Sequence, residues 1–174
     1  GASILGYRAP YFSIVRGAEW ALEVLRACGI RYDSSIFPVH NYRYGIPDAP
    51  RWAHEVIPGL VELPPSTWRL GGRNVPVAGG AYFRLFPYTL SQFGLRRVAA
   101  EGQPVVFYLH PWELDPEQPR IPLPRRVAVP HYANLRRTAP RLRRLLADFR
   151  FSTAADVLAA RGWSLAATGS PETG

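Results

Sequence analysis

The chain contains no lysine, no methionine and a single cysteine, Cys28. One cysteine excludes an internal disulfide and leaves the redox compartment open. Cys28 follows Ala21 at i+7 in a helical pattern, which predicts a buried structural thiol. The want of lysine means that all 21 basic residues are arginine. So complete a bias fits the codon composition of a GC-rich genome better than selection for phosphate contacts. The missing methionine, position 1 included, leads to the expectation that the chain was cut or begins within a longer frame. No apolar run approaches the ~18–20 residues of a membrane span. No charged-then-apolar leader opens the chain, which tells nothing of location; the cytoplasm is a default only. A G-x-S-x-G elbow and a phosphate-binding glycine loop are both absent. His40, His54, His110 and His131 show no i, i+4 pair, and no two aspartates are adjacent. Nothing in the sequence resembles a complete zinc site of three protein ligands.

What is present is a globular chain: 174 residues, 47% apolar and 13% aromatic. That length supports one domain with a sizeable core and excludes a disordered chain. Residues 1–165 are expected to form the domain and 166–174 a disordered tail. The net charge of +8 raises nucleic acid or an anionic surface as a partner. The arginines of "TAPRLRRLLADF", however, interleave with an apolar stripe and read most simply as a solvated helix face. Nucleic acid is therefore not expected as a partner.

The periodicity predicts an α/β chain. "SILGYR" (3–8) reads as a short buried strand. "GAEWALEVLRACG" reads as a helix with Ala21, Val24, Leu25 and Cys28 on one face, closed by Gly29. "IRYDSS" gives the next strand, completing a βαβ pattern. Residues 36–58, rich in proline, read as an excursion loop. "GLVELPPSTWRLGGRNVPVAGG" reads as a hairpin around Gly71 and Gly72, with Gly79 and Gly80 as further punctuation. A helix opened by Pro87 and closed by Gly102 comes next. "PVVFYLHPWEL" is the most strand-like run, continuous enough for burial on both faces. A helix striped by Leu142, Leu145, Leu146 and Phe149 and a last strand–helix unit capped by Ser152 or Thr153 complete the pattern.

Two strand ends carry chemistry. His110 closes "VVFYLH", where a histidine can serve as general acid or base, bind metal, or simply hydrogen-bond backbone. Arg8, in "GYRAPYFS", occupies the matching place after the first strand, where its alternative is a solvated surface turn.

"GYRAPYFS" resembles the R-x-P-Y motif of the polysaccharide deacetylases, the NodB-homology carbohydrate esterases. "FYLHPWE" resembles their later Leu-His motif, in the form of the bacterial branch associated with exopolysaccharide and exosortase loci. "RYDSSIFPVHNYRYGIPDAPR", "GGAYFRLFPY" and "HYANLRRT" are similar to that branch too, so the likeness spans roughly residues 4–160. It implies a distorted (β/α)7 barrel, here lacking its first strands, with an open sheet edge that would make the isolated chain marginal. It implies a hydrolase that removes N-acetyl groups from an N-acetylated polysaccharide by means of a divalent metal, zinc in type. Arg8 would hold the base aspartate, and the backbone N–H of Tyr11, beside Pro10, would stabilise the oxyanion. His110 would protonate the leaving amine, and Asp33 would orient it. Trp112 and Glu113 would line the sugar groove. The base aspartate and the metal ligands belong to motifs that precede R-x-P-Y and are expected upstream of Gly1, so the fragment alone should be inactive. The alternative is a non-catalytic carbohydrate-binding or scaffold module that keeps Trp112 but needs neither Arg8 nor His110.

Overall fold

The computed structural model describes residues 3–41 and 43–165; the expected tail lies outside them. The chain falls into two compact units, Gly1–Pro65 with Gly71–Asn74 and Ser152–Gly174, and Ser66–Leu70 with Val75–Phe151.

The first unit opens with β1 (Gly6–Tyr7), α1 (Trp20–Ala27) and β2 (Tyr32–Asp33). β1 and β2 are parallel, with Tyr7 opposite Asp33, as the βαβ reading requires. α1 presents Leu22 to the core, flanked by half-buried Ala21 and Leu25. Val24 is 50% exposed and Cys28 is exposed, so the expected stripe is out of phase and the buried thiol is corrected. The reason is local, because the helix ends at Ala27 and Cys28 sits in the turn that leaves it. Gly29, at φ +86°, closes that turn. The Gly29 N–H donates to Arg26 O (3.0 Å) and the Ile30 N–H to Leu25 O (3.0 Å), the two bonds of a Schellman cap.

The excursion loop is not loop throughout. Its end forms β3 (His54–Ile57), which turns at Pro58–Gly59 into β4 (Leu60–Glu62). β4 lies parallel to β2 and antiparallel to β3, giving the order β1-β2-β4-β3. "GLVEL" thus belongs to this sheet rather than to the later hairpin. Its three β4 residues are all buried, as in a strand covered on both faces. Ala9, Ile14, Leu22, Ile30, Ile36, Ile46 and Leu60 make the core of this unit.

β5 (Thr67–Leu70) and β6 (Arg73–Pro76) form the two-stranded hairpin expected around Gly71 and Gly72. In the second unit, α2 (Gly80–Leu85), α3 (Tyr88–Ala100), α4 (Arg125–Tyr132) and α5 (Leu135–Asp148) follow. α3 carries Pro87 at its N-cap, and Gly102, at φ +75°, follows its end. α5 buries Leu135, Thr138 and Leu145 while Leu146 is 55% exposed, so its apolar stripe starts earlier than expected. "PVVFYLH" is extended but forms no ladder. Its one bridge is Gly79 to Tyr108, in parallel sense, and most of its side chains are half-buried, which corrects the doubly buried strand. Gly79 and Gly80 are not hairpin punctuation but the place where α2 begins against Tyr108. In the first unit again, α6 (Ala154–Ala160) is capped by Thr153, whose Oγ1 accepts the Asp156 N–H (3.1 Å). No strand precedes it. Among the described residues the sheets form no closed barrel.

Candidate active site

In the first unit, three parallel strands end in polar residues, because β1, β2 and β4 run the same way and their carboxyl ends lie in register. Arg8 follows β1; its Nε donates to Ser34 O (2.9 Å) and its Nη2 to Ser34 Oγ (2.6 Å). Ser34 Oγ in turn donates to Leu63 O (2.5 Å), and Ser35 Oγ accepts the Ala9 N–H (2.7 Å). Two serines after β2 therefore fasten the exits of the neighbouring strands, and Arg8 is fixed rather than waving in solvent.

Asp33 and Glu62 lie opposite each other in the β2–β4 register and both are fully buried. Asp33 accepts the Ser35 Oγ hydrogen (2.7 Å). Glu62 Oε1 accepts the Ile36 N–H (3.0 Å), while its Oε2 is buried and accepts nothing. Burial, and then the neighbouring Asp33, push the Glu62 carboxyl well above the usual range; Arg8 opposes the shift. Burial raises Asp33 as well, against its bonds to Ser35 and Glu62. Two neighbouring buried carboxyls do not readily ionise together, and both shifts run toward the protonated form, the larger push falling on Glu62.

The chain beyond Arg8 is strained. Tyr11 (φ +59°) and Phe12 (φ +52°) are consecutive non-glycine residues in the left-handed region, each costing about 1–2 kcal/mol. Phe12 repays part of this by packing its ring against Phe37 at 5.0 Å and Tyr44 at 5.6 Å. Tyr11, 81% exposed, packs little, and Pro10 is exposed beside it.

The second unit holds His110, exposed, at the head of a 3-10 turn, Pro111–Leu114. That turn is held from inside. Glu113 is fully buried, its Oε2 accepting from Arg84 Nε (2.9 Å) and its Oε1 from the His110 N–H (3.3 Å). Arg84, equally buried, also donates through Nη1 to His131 O and Ala133 O (both 2.9 Å) and through Nη2 to Pro130 O (2.8 Å). Glu113 thus does not line a groove; its carboxylate serves the turn, a correction that follows from the ion pair. Trp112 has the His131 ring stacked on it at 4.3 Å, Arg84 over it at 5.1 Å and His110 near-parallel at 5.8 Å. Its aromatic surface is therefore engaged by the protein's own groups, and the turn exposes His110, Pro111 and Leu114. Burial first, then the Arg84 charge, lower the basicity of His131.

The sequence singles out Arg8, Asp33 and His110 as candidates and passes over Glu62, Arg84 and His131, which the structure places beside them in the two clusters. The signals were a lone acid inside the apolar "GLVEL" and a lone base among the aromatics of "AYFRLF". The described residues bring no three His, Cys, Asp or Glu side chains together as metal ligands. Asp33 and Glu62, two acids beside an arginine with no third ligand among the described residues, do not make a divalent-cation site by themselves.

These units define an α/β protein with one polar cluster at strand ends and a second at a pinned turn. The chain matches the family described as "Domain of unknown function (DUF3473)" over residues 34–159, and it belongs to that family. The match takes in Glu62, Arg84, the His110 turn and His131, and begins just after Asp33. No curated protein and no solved structure matches the chain.

Proposed function

We propose that this chain is part of a metal-dependent hydrolase that removes N-acetyl groups from the amino sugars of a polysaccharide, built on the distorted barrel of the polysaccharide deacetylases. The observation that carries the reading is the R-x-P-Y segment. A buried-end arginine is fixed by Ser34, and the backbone immediately after it is held in a left-handed turn at Tyr11. Strain kept at a polar strand end is a mark of functional sites. The family assignment supports it, since this family is associated with polysaccharide deacetylase-like proteins.

In this reading Arg8 orients the carboxylate that takes a proton from the attacking water, and the Tyr11 N–H stabilises the oxyanion that forms on the acetamide. His110 gives its proton to the departing amine as the C–N bond breaks and acetate leaves. Glu113 and Arg84 are positioning residues that hold the His110 turn. A bound divalent metal would polarise the water, and its ligands would come from side chains outside these 174 residues.

The test is acetate release from an N-acetylated oligosaccharide by the full-length protein. His110→Ala should cut release by at least about a hundredfold, with the melting curve unchanged. No release by the wild-type protein would sink the reading and leave a carbohydrate-binding module in its place, and release that survives His110→Ala would remove His110 as the acid. The reading frame before the Gly1 codon offers an independent check, since it should encode an Asp-rich strand end and a His-x-x-x-His pair.

A further inference from the structure

A cavity of about 540 Å³ in the second unit lies between the loop after the His110 turn and the start of α5. Arg120, Arg136 and Arg137 line it, with Tyr132, Leu135 and one acid, Glu117. None of the three arginines forms an ion pair among the described residues, whereas Arg16, Arg26, Arg84 and Arg144 each have a carboxylate partner. Arg120 lies over the Tyr132 ring at 4.9 Å, and the Tyr132 hydroxyl accepts the Ile121 N–H (3.1 Å). The wall carrying Arg120 is thereby tied to the end of α4.

Arg136 and Arg137 stand in the first turn of α5, a helix with no acidic residue there. Cations at that end oppose the helix dipole, so the local structure gains nothing from them. An anion in the cavity would satisfy the guanidinium groups and the dipole together. The volume falls in the range of small-molecule sites, ~300–1,000 Å³, which is far more than one carboxylate needs. Arginine's planar fork matches carboxylate oxygens in pairs.

We propose that this cavity binds an oligosaccharide carrying carboxylate groups, so that the substrate class is an acidic polysaccharide. That the ligand is a sugar rests on the deacetylase reading; that it is an anion rests on the cavity. The site also gives a role to "HYANLRRT", whose Tyr132, Leu135, Arg136 and Arg137 form much of its wall.

Calorimetry with the full-length protein and three probes tests this: a tetra-uronate oligosaccharide, a neutral N-acetylglucosamine tetramer, and single-stranded DNA of matched charge. The uronate should bind, more weakly at higher salt, and the R136Q/R137Q variant should lose at least about tenfold in affinity. R120Q, on a different segment, should weaken it as well, and circular dichroism checks that both variants are folded. Binding is read without turnover, so uronate affinity without acetate release would remove the deacetylase reading alone. Uronate binding that is absent, or undiminished in both variants, overturns the cavity assignment. DNA bound more tightly than uronate at the same arginines overturns the saccharide in favour of a nucleic-acid surface.

Discussion

Replacing Glu113 by Gln should destabilise the second unit by about 3–5 kcal/mol, the usual result of removing one partner from a buried ion pair. The pair is 1% exposed on both sides, so solvent cannot take over either charge. Arg84→Met should cost at least as much. It strands the Glu113 carboxylate and leaves the carbonyls of Pro130, His131 and Ala133 without their donor, each worth about 1–3 kcal/mol when buried and unmet. The double substitution Arg84→Met with Glu113→Leu should be milder than the sum, because no charge is then left buried alone. Urea unfolding followed by tryptophan fluorescence reports all three, since the Trp112 ring contacts both Arg84 and His131. A loss below about 1 kcal/mol for Glu113→Gln, or strict additivity in the double variant, would refute the claim that this pair organises the His110 turn.

Two further outcomes are expected. The Glu62 carboxyl is raised in the folded state by burial and Asp33. It therefore contributes stability that is fully present below the ordinary glutamate pKa of ~4.3 and lost as pH rises toward the folded value. Wild-type stability should accordingly decline with pH across that window, and Glu62→Gln, a neutral mimic of the protonated acid, should flatten the decline; an unchanged slope in urea melts at a series of pH values would show Glu62 to be ionised in the fold. Tyr11→Gly should raise the melting temperature, by up to about 1 kcal/mol in stability, because it releases a left-handed φ at a side chain that is 81% exposed. A fall would mean that the Tyr11 ring packs in solution.

The sequence made legible whatever is encoded locally. The cap at Gly29, the hairpin at Gly71 and Gly72, the Thr153 cap and the β1–α1–β2 unit each depend on a few consecutive residues. What it hid depends on register and on partners far along the chain. Asp33 and Glu62 are 29 residues apart and meet only because β2 and β4 pair in parallel. Glu113 reads as a groove residue beside Trp112 until Arg84, also 29 residues away, is found buried against it. The phase of α1 was misread because Cys28 completes an i+7 pattern after the helix has already ended. "PVVFYLH" has strand composition, but the described residues give it a single bridge rather than a ladder.

That bridge sets a constraint on variation. A Cβ on Gly79 would stand 1.8 Å from Tyr108 O, and one on Gly80 would stand 2.8 Å from the Tyr108 hydroxyl. The Tyr108 N–H donates to Ala78 O and the Gly80 N–H to Tyr108 O (3.0 and 3.2 Å), so His110 follows by two residues a point clamped on both sides. Any side chain at position 79 would act as a wedge, prising the clamp apart and displacing His110 without touching it. A screen of natural or random variants should therefore find position 79 as intolerant as a catalytic residue, although it has no functional group to lose.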